Sequence, residues 1–98
     1  MYSLYVSPAA QSDVRAAFHW YESQRHGLGR EFIENLDTLI QQIRHSPDSR
    51  PAIEENVRLA LVKRFPYVVC YLFEDEVIHV FAVFHGHRDS SVWLRRIP

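Results

Sequence analysis

The hydrophobic pattern of this chain changes period partway along its length. Residues 2–6, Tyr-Ser-Leu-Tyr-Val, are rich in β-formers and predict a short first strand. Ser7 and Pro8 have the form of a helix N-cap followed by proline at the first helical position. From Pro8 to about Arg25, Ala10, Val14, Ala17 and Tyr21 recur at spacings of three and four and make one helical face, while Phe18 and Trp20 add aromatic content. Gly27 and Gly29 predict a break and a tight turn. A second helix follows, with Phe32, Ile33, Leu36, Leu39, Ile40 and Ile43 in one apolar stripe and Glu31, Glu34, Asp37, Gln41 and Arg44 largely elsewhere. Pro47 should stop it near Ser46. Two helices joined by so short a turn predict an antiparallel hairpin.

Residues 47–56 read as loop, after which the period becomes that of a strand. Val57, Leu59 and Leu61 alternate with Arg58 and Ala60; Phe65-Pro66 interrupts; Tyr67 to Phe73 is a second run. Glu74-Asp75-Glu76 is a charged turn, and Val77 to Phe84 is apolar at both parities, as in a central strand covered at least partly on both faces. Short connections imply antiparallel neighbours. The expected fold is α+β: an N-terminal strand, an antiparallel helical hairpin and a three- to four-stranded antiparallel sheet, with the first strand joining the same sheet. Residues 1–98 are one domain, and no internal repeat or linker divides them.

Composition narrows the class. At 47% hydrophobic and 23% charged the chain is globular rather than disordered. A domain of this size buries roughly two-thirds of its unfolded surface, which leaves little spare stability and gives weight to a partner that covers apolar residues. Tyr2, Tyr5, Phe18, Trp20 and Tyr21 are such a surplus. The single cysteine, Cys70, excludes an intrachain disulfide and lies in an apolar run with no basic neighbour, as a buried, unreactive thiol would. Met1 to Val6 lack the features of a signal peptide and no apolar run approaches ~20 residues, so a soluble, cytoplasmic protein is expected, with no membrane association. The net charge is −1, but unevenly spread: residues 1–56 hold five Lys/Arg against eight Asp/Glu, and residues 57–98 hold six against four. An anionic target should therefore meet the C-terminal half.

The candidate chemistry is concentrated after the last strand. His85-Gly86-His87-Arg88-Asp89 is followed by Trp93-Leu94-Arg95-Arg96. Arg88, Arg95 and Arg96 are suited to phosphate or carboxylate, and Trp93 to stacking on a base or to covering the edge of the core. His85 and His87 are the available acid–base groups. As metal ligands they fall short: a zinc site needs a third, and His79, on His85's parity, lies about 20 Å away along a strand. Arg58, Lys63 and Arg64 form a second basic group, for which the usual explanation is a charged strand end that discourages edge pairing. No nucleophile triad, glycine-rich phosphate loop or CxxC occurs, and no metal or other cofactor is expected.

These residues resemble a known family. Ser7–Pro47 is similar to the helical hairpin of ParE-type and plasmid-stabilisation proteins. Arg58–Arg96 carries the more specific signs: the basic–Phe–Pro–Tyr step at Arg64 to Tyr67, the strand tyrosine Tyr71, the apolar Phe81-Ala82-Val83, and His85-x-x-Arg88 with Trp93 and Arg96. The chain thus resembles the RelE/ParE toxin superfamily over almost its whole length. The resemblance implies the α+β fold, a protein antitoxin and a toxin–antitoxin hetero-oligomer. It also implies one of two targets: ribosome-bound mRNA, cleaved by a nuclease, or DNA gyrase, poisoned by binding. The RelE-type nuclease pattern has lysines on the strand before the kink, an arginine after the kink's tyrosine and a tyrosine near the C-terminus. Here those places hold Leu59, Leu61, Val68 and Trp93, and leucine and valine can neither transfer a proton nor offset charge. The expected order is a ParE-like toxin that binds gyrase, then an endoribonuclease using His85, His87 and Arg88, then a non-toxic interaction module. Target- or nucleic-acid-binding residues are expected among Arg58, Lys63, Arg64, Tyr71, Arg88, Trp93, Arg95 and Arg96.

Overall fold

The computed structural model describes residues 1–98. Its elements, in order, are β1 (Ser3–Val6), α1 (Pro8–Gln24), α2 (Leu28–His45), β2 (Val57–Leu61), β3 (Tyr67–Glu74), β4 (Val77–His85) and α3 (Val92–Arg96). The sheet order is β1-β4-β3-β2. β2, β3 and β4 form the antiparallel meander expected from their short connections. β1 joins the sheet as expected but runs parallel to β4, so the whole sheet is mixed rather than antiparallel. The reason is topological: β1 reaches its neighbour through the entire hairpin and meander, and no tight turn fixes its direction.

Local chemistry explains the helix ends. The Ser7 hydroxyl accepts from the Ala10 N–H at 3.1 Å, and Pro8 opens α1. Gly27 takes the left-handed conformation (φ 89°) that ends the link into α2, and it has no side chain with which to cap. Glu22 of α1 does that work: its carboxylate accepts from the N–H groups of Gly27 (2.9 Å) and Gly29 (3.0 Å). Gly29 is not part of the turn, as its sequence context suggests, but a buried position inside α2. Phe18 lies directly against it.

Both sheet faces are covered, by unequal layers. The hairpin packs on one face, where Ala10, Ala17, Tyr21, Phe32, Leu36, Leu39 and Ile43 meet Val69, Tyr71, Ile78, Val80 and Val83. On the other face Val57, Val68, Cys70, Phe81, Ala82 and Phe84 lie under Val92, Trp93 and Ile97 from α3 and its end. The apolar residues at both parities of β4 therefore have separate cores to fill. Cys70 is fully buried in the smaller one, and burial pushes its thiol up to about 12, so it stays protonated and inert. No helix is long and apolar enough to cross a membrane.

A bulge interrupts the β3–β4 ladder. Cys70 faces Ala82 but Tyr71 faces Val80, so Phe81 is the extra residue. It exchanges the faces beyond it: Val80 and Val83 both point to the hairpin, and Phe81 and Ala82 both point to the second core. His79 and His85, of equal parity in sequence, consequently lie on opposite sides. His79 stacks near Phe81, and His85 near Tyr67.

Two of the residues expected at a target surface, Tyr71 and Arg58, bond to the loop that precedes β2, Tyr71 from the core and Arg58 from a half-buried position. Tyr71 is fully buried, and its hydroxyl donates to the Pro47 carbonyl at 2.7 Å, tying the 46–56 loop to the core. Arg58 donates to the backbone carbonyls of Arg50 and Asp48 in that loop. Their sequence setting hid this, because the carbonyls they satisfy belong to a loop without periodicity. Replacing Tyr71 with phenylalanine should leave the Pro47 carbonyl unpaired and cost about 1–2 kcal/mol in urea unfolding with an unchanged m-value.

Candidate functional site at the basic end of the sheet

Strand register sorts the surface charge. The pairs Tyr67–His85 and Leu61–Val68 bring the turn after β2 and the turn after β4 to one end of the sheet. That end carries Lys63, Arg64, His85, His87 and Arg88. The pairs Glu74–Val77 and Val57–Leu72 bring Glu54, Glu55, Glu74, Asp75 and Glu76 to the opposite end. The asymmetry between chain halves thus becomes an axis along the meander, which would orient an approaching polyanion toward the first end.

A groove of about 390 Å³ opens at the basic end, between α1, the last residues of β4 and α3. Ala16, Ala17, Trp20, Val83, Phe84 and Val92 give it apolar walls, and Asp13, Arg88, Asp89 and Arg96 give it charge. Two of these charges are spent on each other. The Asp13 carboxylate accepts both guanidinium nitrogens of Arg96, Nη1 at 2.5 Å and Nη2 at 3.0 Å, in a fork. It also accepts the Val83 N–H at 2.9 Å, while Arg96 Nη1 lies 3.5 Å from the Phe81 carbonyl. β1 pairs with β4 only as far as Val80, so these two side chains close the length of strand edge that β1 leaves open.

Arg88 is placed differently. Its guanidinium lies over the Trp20 ring, 5.6 Å from the centroid, and it takes part in no ion pair. Trp20 remains 46% exposed, so a cation resting on an aromatic plate faces solvent at the groove's rim. Asp13 and Trp20 are the parts of this site that sequence reading did not assign to it. For Asp13 a signal existed: it lies one turn after Ala10 and one before Ala17, on the buried face of α1, where a carboxylate needs a partner.

His85 sits behind Arg88. Its Nδ1 accepts the backbone N–H groups of Arg88 (3.1 Å) and His87 (3.2 Å), and the Asp89 N–H donates to its carbonyl at 3.0 Å. Burial first, then the neighbouring Arg88 and His87, hold its imidazole below the usual histidine value. Burial also raises Tyr21 and Tyr67 above the ordinary phenol value, so both stay protonated. As pH falls from the ordinary histidine value, the unfolded chain takes up a proton that folded His85 resists, so stability decreases. Glu22 acts in the same direction at lower pH, because the Gly27 N–H holds its carboxyl below the usual range, as does Glu31 through Arg64. Urea midpoints should fall in two steps on acidification, and His85→Asn should remove the first.

The other expected contact residues divide. Arg95 is exposed on α3 and Lys63 in the turn after β2. Arg64, also in that turn, pairs with Glu31 at 2.9 Å. Trp93 packs on the second core.

The family described as ParE toxin of type II toxin-antitoxin system, parDE, matches residues 4–90. No curated protein sequence matches the chain. Among solved structures, the chromosomal ParDE TA system from P. aeruginosa is similar with a TM-score of 0.76 at 16% identity, over 87% of this chain and 96% of that one. The intact E. coli RelBE toxin-antitoxin complex gives a TM-score of 0.68 at 19% identity, over 90% and 100%.

Proposed function

Since the chain belongs to the ParE toxin family of type II toxin–antitoxin systems, we propose that it arrests growth by binding its target, DNA gyrase, rather than by cutting RNA. The observation that carries this reading is the state of its basic end. The best-placed acid–base candidate, His85, spends its free lone pair on two backbone N–H groups. The places that hold proton-transfer groups in the RelE-type pattern carry Leu59, Leu61, Val68 and Trp93; Val68 is buried, and Leu59 and Trp93 pack on the second core. What the groove offers is Arg88 on Trp20, a contact for phosphate or carboxylate.

A cognate antitoxin is the proposed partner, as in the two complexes of similar fold. Of the aromatic surplus in the first helix and strand, Tyr21 is buried, but Tyr5 (52%) and Trp20 (46%) are exposed, as is Leu61 (74%) on edge strand β2. An amphipathic segment laid on the hairpin, or a strand added to the sheet edge, would cover them.

Two assays with the purified protein test the choice of target: inhibition of gyrase supercoiling, and mRNA cleavage on translating ribosomes. Activity in the first alone is the expected result; activity in the second alone overturns it. Arg88→Ala should raise the concentration needed for gyrase inhibition about 10- to 150-fold, the effect of losing one charge-assisted contact, with the circular dichroism spectrum unchanged.

A further inference from the structure

We propose that His85 is a positioning residue, whose imidazole Nδ1 holds the 85–88 turn in the shape that lays Arg88 across Trp20. Its significance for toxicity rests on the reading of this end as the target-binding surface. The geometry is specific. A nitrogen that accepts two N–H groups, at 3.1 and 3.2 Å, must carry a lone pair, so the single imidazole proton resides on Nε2. The turn has other ties, from the Gly86 N–H to the Pro66 carbonyl (2.8 Å) and from the Asp89 N–H to the His85 carbonyl (3.0 Å). Neither fixes the amides of residues 87 and 88, which set the direction of the Arg88 side chain. His85 alone does so, and Tyr67, edge-on at 5.5 Å from β3, fixes its ring.

The arrangement is also sensitive to protonation. A proton on Nδ1 turns an acceptor into a donor, breaks both bonds and places a cation beside Arg88. The ionisable groups around the ring are Tyr67 from β3 and His87, Arg88 and Asp89 from the turn itself. Burial opposes the protonated form first, Arg88 and His87 add to it, and Asp89 favours it, with the net effect of lowering the imidazole below the usual histidine value.

Substitutions separate an acceptor from a proton carrier. Asparagine carries its amide oxygen where histidine carries Nδ1, glutamine carries it one bond further out, and leucine has none. Nitrogen-15 NMR of the parent should show His85 with its proton on Nε2, and a nuclear Overhauser contact between Arg88 Hε and the Trp20 ring. His85→Asn should keep that contact and the parental growth arrest on induction. His85→Gln and His85→Leu, shown to be folded by their amide spectra, should lose the contact and need about tenfold more toxin for arrest. In the parent the contact should vanish reversibly on acidification, and in His85→Asn it should persist. A proton on Nδ1, an unchanged Arg88–Trp20 contact in His85→Leu, or arrest abolished in His85→Asn while the contact remains would each overturn the proposal. The last result would make His85 a proton-transfer group. If the NMR pattern holds but the parent arrests no growth, the positioning role stands and the toxic reading fails.

Discussion

Replacing Gly29 with alanine should lower the thermal midpoint by roughly 10 °C, the equivalent of about 2 kcal/mol in a domain of this size. In an exposed helix the same change would stabilise by about 1 kcal/mol, because alanine is the better helix former. Here the added methyl would stand 2.7 Å from the Phe18 carbonyl oxygen and 2.8–2.9 Å from two carbons of its ring. The ring can shift, but the oxygen belongs to the backbone of α1, so relief requires the two helices to separate. Overpacking of this kind costs about 1–3 kcal/mol and sometimes more, and the backbone contact puts Gly29 at the upper end of that range, enough to overcome the gain in propensity. Phe18→Leu should not rescue the variant, since the carbonyl remains. A midpoint at or above the parent's in differential scanning calorimetry would mean that the hairpin opens easily and that helix propensity governs the site.

Gly29 also marks the boundary of what the sequence made legible. The hairpin and meander could be read because each repeats: Phe32, Leu36, Leu39 and Ile43 recur at helical spacing, and all four are buried. A glycine two residues after another looks like a turn, and only the proximity of Phe18, eleven positions earlier, shows that it serves packing. The bulge was hidden for the opposite reason. Ile78 to Phe84 is apolar throughout except His79, so no change of hydrophobic phase marks the insertion of Phe81. Without it, His85 would have been assigned to the face of His79, away from Tyr67. The five-residue α3 is too short to show a period, and its place depends on covering a second core that only the folded sheet creates.

The basic end was visible as composition but not as a site. Lys63, Arg64, His85, His87 and Arg88 were legible as a charge excess; their shared end of the sheet follows from register. Which arginine is free could not be read at all. Arg88, Arg95 and Arg96 look equivalent in sequence, yet Arg96 is consumed by a carboxylate 83 positions away and Arg88 rests on a ring. Partner identity, not residue type, separates a structural arginine from one able to receive a ligand.

That separation makes Asp13→Ala the second large effect, a loss of about 2 kcal/mol. The carboxylate joins three elements: it belongs to α1, accepts the Val83 N–H of β4 and holds Arg96 of α3 in a fork. Breaking a fully buried pair costs about 3–5 kcal/mol and an exposed one about 0–1 kcal/mol. With side chains 17% and 30% exposed, this pair lies between those limits, with some screening by solvent. Truncation also leaves the Val83 amide without a partner at the stretch of edge that β1 does not reach. The variants should therefore rank by which bonds survive. Arg96→Ala removes the fork but leaves Val83 satisfied, so it should cost less than Asp13→Ala. Asp13→Asn retains an acceptor for Val83 but not the charge, so it should also cost less. The double variant Asp13→Ala/Arg96→Ala should be no less stable than Asp13→Ala alone, because the unpaired guanidinium is gone. Urea denaturation at low and high salt measures all four, with salt narrowing the difference between Asp13→Asn and the parent. If Arg96→Ala proves as costly as Asp13→Ala, the fork alone carries the stability and the amide at the strand edge is satisfied by water.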